Sequence, residues 1–164
     1  MERLVHLFID LFGGLNKDLI IFIISLMPVL ELRGGMLAAT LLDIDFIKAL
    51  AICIIGNILP IPFVLLFLQK ILELFEKWSV TAKVVKWLER KAQSKRAQID
   101  KYGYGGLILF VGIPIPGTGA WTGSLVAVML GLSRKKSFIA IMIGIILASI
   151  IMSILSYGIL GNII

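Results

Sequence analysis

The chain has 164 residues with one His and one Cys, and its Lys and Arg outnumber Asp and Glu by 16 to 10. Hydrophobic residues make up 59% and the mean hydropathy is +1.03, more apolar surface than a soluble chain of this length can bury. That excludes a soluble enzyme, a disordered chain and, with Cys53 alone, a disulfide-stapled secreted domain.

The first element in chain order is a short amphipathic stretch, residues 1–15. Arg3, His6 and Asp10 share one helical face, and the run is too short to span, so it reads as an interfacial helix. Residues 19–42 follow, apolar except for Glu31 and Arg33 at the middle, where Pro28, Gly34 and Gly35 interrupt the pattern. Proline and glycine are unfavourable inside a helix, so this segment reads as a short helix, a turn and a short helix. Residues 47–69 come next and contain an uncharged run from 49 to 68, long enough for a spanning helix. Gly56, Asn57, Pro60 and Pro62 predict a kink in it.

Residues 70–103 differ in kind. Nine of the 16 basic residues lie between 70 and 101, and apolar residues recur three or four apart. This is an amphipathic linker helix with a basic face toward the headgroups. Concentrating the positive charge in one block between apolar segments argues against nucleic acid as partner. Residues 105–132 are uncharged but hold Pro114, Pro116, Gly117, Gly119 and Gly123 at the centre, predicting a second broken segment. Residues 137–160 are a second uncharged span.

The chain matches itself at an offset of 88. Leu19, Ile20, Phe22, Pro28 and Gly35 fall on Leu107, Ile108, Phe110, Pro116 and Gly123, and Lys48 and Gly56 fall on Lys136 and Gly144. Each half is a broken segment followed by a span, giving repeat one over 16–69 and repeat two over 104–164. If each broken segment enters and leaves on one side, the linker and Arg134-Lys135-Lys136 share the cytoplasmic side, and Asp43 and Asp45 fall outside. That arrangement satisfies the positive-inside tendency. The expected fold is therefore an all-α integral plasma-membrane protein, an inverted repeat of a re-entrant helical hairpin and a transmembrane helix. Paired interrupted segments in inverted halves point to a transport site near the midplane.

Glu31 and Arg33 are the charges inside the membrane segments, apart from Lys48 at a span's edge, and intramembrane charge is functional by default. Glu31 is a candidate proton carrier. Arg33 has the planar fork that grips a phosphate. Thr118, Trp121, Thr122 and Ser124 add polar groups and glycine-rich backbone in the second loop, and Asn57 either lines the pathway or bonds across a helix contact. No metal-ligand cluster, nucleophile–base set or nucleotide loop is present in the sequence, so neither an enzyme nor a cofactor is expected. Two spans enclose little space, which predicts a homodimer or larger homo-oligomer in contact with membrane lipids.

The segments around Pro28–Gly35 and Pro114–Trp121, their pairing and the small size resemble the putative small multidrug export protein family, which looks like a distant branch of the DedA (VTT) superfamily. Pro28 and Glu31 are similar to the first DedA loop, whereas Gly112 and Gly119 stand near where its second loop has arginines. The DedA resemblance implies a proton-dependent flippase for an anionic polyprenyl-phosphate type of lipid. The alternatives are an exporter of small cationic compounds, with Glu31 as shared drug and proton site and Trp121 as aromatic wall, and a non-transporting membrane scaffold.

Overall fold

The computed structural model describes residues 14–76, 86, 90, 101–115 and 117–159, and among them the chain is helical with no strand. The elements are α1 (Lys17–Leu26), α2 (Glu31–Leu41), α3 (Phe46–Ile58), α4 (Ile61–Glu76), α5 (Tyr104–Gly112), α6 (Ala120–Met129) and α7 (Arg134–Ser153), the last running into a π-helical turn, Ile154–Ile159. The interfacial helix expected over 1–15 falls almost wholly outside the described residues, as do Pro116, most of the basic linker and residues 160–164. Helix α4 runs unbroken past residue 70 to Glu76, because nothing in that stretch breaks a helix.

Local chemistry sets the boundaries. The Asn16 side chain accepts from Asp18 N–H and starts α1, and Asp45 does the same for α3 through Lys48 N–H. Pro60 interrupts the first span, so α3 stops at Ile58 and α4 resumes at Ile61. Pro114 holds Ile113 in extended backbone and ends α5.

Helices α1 and α2 form one hairpin and α5 and α6 a second. The base of the first is closed by Lys17 Nζ donating to the Leu42 carbonyl at 2.8 Å, and Lys48 pairs with Asp18 at 2.7 Å to bring in the start of α3. The base of the second is closed by Ser133 N–H donating to Tyr104 Oη at 3.2 Å. The 88-residue offset reappears in backbone geometry. After α2, Asp43 N–H bonds Thr40 O and Ile44 N–H bonds Ala39 O; after α6, Gly131 N–H bonds Val128 O and Leu132 N–H bonds Ala127 O. Asp43 and Gly131 both have positive φ, 53° and 66°. These are two copies of a Schellman stop.

Helix α7 connects the two bases. Its first residue follows Ser133, which touches Tyr104, and Tyr157 just beyond its end donates to Ile44 O at 2.8 Å beside the first base. Along α7, Ser137, Ala140, Gly144, Ala148 and Ser149 are buried together with Ile141, Ile145 and Met152, whereas Ile139, Ile143, Ile146 and Ile150 are exposed. The small residues allow close helix packing, and the row of exposed isoleucines suits contact with lipid. Two helices, Phe46–Leu68 and Arg134–Gly158, are long and apolar enough to cross a membrane, as the uncharged runs predict.

Candidate functional site

The turns of the two hairpins meet. Glu31 opens α2 in a left-handed backbone conformation, φ 51°, which a non-glycine residue adopts only at a cost. From there its carboxylate reaches the start of α6, where Oε2 accepts from Ala120 N–H at 3.0 Å and Oε1 from Trp121 N–H at 3.1 Å. The residue just before α6 is Gly119, which has no side chain to cap the helix. Glu31 therefore caps α6 from across the molecule, placing a negative group on the positive end of a helix dipole. At Gly119, φ is 138°, and a Cβ there would overlap the Glu31 carboxylate. Only glycine satisfies both the backbone and the space.

Arg33 performs the opposite service. Its Nη1 donates to Ile115 O at 2.7 Å, and its Nη2 lies 3.1 Å from Ile113 O, 3.0 Å from Thr118 Oγ1 and 3.4 Å from Val111 O. Val111 O belongs to the last turn of α5, so the guanidinium stands on the negative end of that helix. The Thr118 hydroxyl is also within hydrogen-bond distance of Ile113 O and Ile115 O, at 2.9 and 2.8 Å. Glu31 and Arg33 are 5% and 6% exposed, so both charges would be costly if these backbone partners were absent. The sequence gives Glu31 no partner; the structure supplies two N–H groups. The sequence offers Arg33 to a phosphate; the structure commits it to backbone carbonyls and one hydroxyl.

The repeat explains this exchange. Arg33 and Trp121 occupy equivalent positions at the 88-residue offset, and each donates across to the other hairpin, Trp121 Nε1 reaching the Leu26 carbonyl at 3.1 Å. Glu31 and Gly119 are also equivalent. Their positions face each other, leaving room for one carboxylate, and glycine on the opposite side gives that room.

Beside this junction lies a cavity of about 180 Å³ lined by Pro28, Leu30, Glu31, Arg33, Thr118 and Thr122, among others. The remaining candidates divide. Gly117 also lines the cavity. Trp121 is not among its walls, its indole being spent on the helix contact. Ser124 is buried and bonds back to Ala120 O at 2.7 Å. Pro114 shapes the turn between α5 and α6. Gly34 and Gly123 allow close packing inside the hairpins, and at Gly35 a Cβ would run into Ser25 Oγ and Cys53 Sγ. Asn57 is buried on α3 away from the cavity, and its Oδ1 has no hydrogen-bond partner. The carbonyls of Leu26, Val111, Ile113 and Ile115 are participants that side-chain reasoning passed over. The pairing of Arg33 with Trp121 at the repeat offset was the available signal for them.

Among the described residues the chain is helical, with two helices of membrane length and two charged groups buried between broken segments, the architecture of a membrane protein. The family model described as putative small multi-drug export protein matches residues 31–151, and the chain belongs to that family. No curated protein and no solved structure matches it.

Proposed function

We propose that the chain is a proton-linked membrane exporter of small amphipathic cations, in which the junction of the two hairpin turns is the gate. In this reading the hairpins are re-entrant, dip from opposite membrane faces and meet at the midplane. Several features support it. Helix α1 has 10 residues, about 15 Å, half of a hydrocarbon core roughly 30 Å thick. The two bases sit at opposite ends of the 20-residue α7, which is about 30 Å long. The two halves then have opposite orientation, as an inverted repeat requires. The start of α4 lies beside Arg134 and Lys135, so the later part of the first span and the basic first turn of α7 share one face, cytoplasmic by the positive-inside tendency.

The observation that carries the functional reading is the position of Glu31. It closes the junction and also lines the cavity. A protonated carboxyl is a poorer acceptor for two helix N–H groups, so protonation loosens the contact with α6. The protonated carboxyl, loosened from α6, faces the cavity; on giving up its proton there it becomes a carboxylate that offers a counter-charge to a cation, so proton and cation use the site in turn. Arg33 opposes this less than a bare cation would, because the carbonyls of Val111, Ile113 and Ile115 and the Thr118 hydroxyl point their negative ends at its guanidinium. A lipid phosphate would have to displace those internal acceptors, which weighs against the anionic-lipid flippase. The full chain in vesicles, loaded with a cationic dye, tests the proposal. Wild type should accumulate dye on imposing a pH gradient, and Glu31→Gln, which carries neither the proton nor the counter-charge, should not. An equal response of the two proteins to the gradient refutes the role of Glu31. Gradient-driven movement of a lipid phosphate with no dye transport returns the substrate to the anionic lipid.

A further inference from the structure

We infer that the groove between α4 and α7 at their shared end is a binding site for an anionic phospholipid. The groove is open to the surface, has a volume of about 250 Å³ and is lined by Pro62, Leu65, Leu66 and Phe138 together with the aliphatic stems of Arg134 and Lys135. The wall is aliphatic and aromatic. Of the three consecutive cations, Lys136 lies over the Tyr104 ring, 5.9 Å from its centre. Arg134 and Lys135 are exposed, and the ion pair found among the described residues lies elsewhere, between Lys48 and Asp18.

The chemistry of the groove selects its occupant. Two cations above an apolar slot complement a molecule with an anionic head and a hydrocarbon tail. A free phosphate ester would use only the rim. A zwitterionic lipid would bring a second positive charge against Arg134 and Lys135. The surroundings agree, because the groove lies between the ends of the two membrane-length helices, Phe46–Leu68 and Arg134–Gly158, where bilayer lipid is the neighbouring solvent. Basic pockets between spanning helices are a recurrent way of holding anionic headgroups. The cations also stand in the first turn of α7, where the dipole favours acids, so a lipid phosphate relieves an arrangement that is locally unfavourable. The groove shares no lining residue with the junction cavity, and the inference does not depend on what the protein transports.

The test uses the purified full chain in a neutral detergent, with binding followed by native mass spectrometry and by the shift in melting temperature. Phosphatidylglycerol, phosphatidylcholine and glycerol phosphate are titrated separately. Phosphatidylglycerol should bind saturably and raise the melting temperature, with weak binding of the other two. Changing both exposed cations, Arg134→Gln with Lys135→Gln, should weaken phosphatidylglycerol about thirtyfold, and Arg134→Gln alone about fivefold. The single variant keeps the test decisive if the double variant folds poorly. Equal affinity for phosphatidylcholine would overturn the inference, as would glycerol phosphate binding as tightly as the lipid. Unchanged affinity in a folded variant would overturn it too. None of these outcomes bears on dye export, which is read separately.

Discussion

Replacing Gly119 by alanine should damage this protein chiefly through Glu31. The added methyl has two costs that can be separated. The backbone at 119, with φ 138° and ψ −173°, lies in a region that is essentially restricted to glycine, and holding another residue there costs about 1–3 kcal/mol. The methyl also overlaps the Glu31 carboxylate, which must withdraw from Ala120 and Trp121 N–H. Each hydrogen bond to a charged group contributes about 1.5–3 kcal/mol, so this part costs about 3–6 kcal/mol. In a Glu31→Ala background the second cost has already been incurred, and Gly119→Ala should then cost only the backbone strain. The two substitutions are therefore expected to couple by about 3–6 kcal/mol, the double variant being more stable than the sum of the singles indicates. The assay is a double-mutant cycle on denaturant unfolding of the purified protein in mixed micelles, with near-ultraviolet circular dichroism as the readout. Costs that add to within about 0.5 kcal/mol would refute the reasoning, since distant or independent sites behave that way.

Arg33→Lys keeps the charge but loses the planar fork that reaches Ile115 O, Ile113 O and Thr118 together. It should lower stability by about 2–3 kcal/mol, one charged hydrogen bond or more, and a wild-type melting curve in the same micelles would show that Arg33 is not the cap on α5. Single cysteines in a Cys53→Ala background should report the sidedness derived from the two hairpin bases. An impermeant thiol reagent added to intact cells should modify position 43 and leave position 135 unmodified. Modification at 135 would place the base of the second hairpin on the wrong face.

The sequence by itself determined the two candidate spans and the places where the chain breaks. Those properties are local. Uncharged runs at 49–68 and 137–160 are long enough to span whatever surrounds them, and Pro60 and Pro114 interrupt a helix by the loss of one N–H and the geometry of one ring. The repeat was legible for the same reason. Two copies of one backbone element, down to the stops at Asp43 and Gly131, need similar residues in similar order. The identity of the partners of Glu31 and Arg33 was not legible. Sequence reasoning weighed side chain against side chain and left the acid unpaired and the guanidinium free, because backbone N–H and C=O groups are the same at every residue and carry no letter of their own. Only the meeting of the two hairpins decides which helix end each charge faces. Residue 31 lies 89 positions from Ala120, and helix dipoles attract charge strongly only within a turn of their ends. The tertiary structure brings those ends to the two charges, and so turns an apparent substrate site into the contact that joins the two halves.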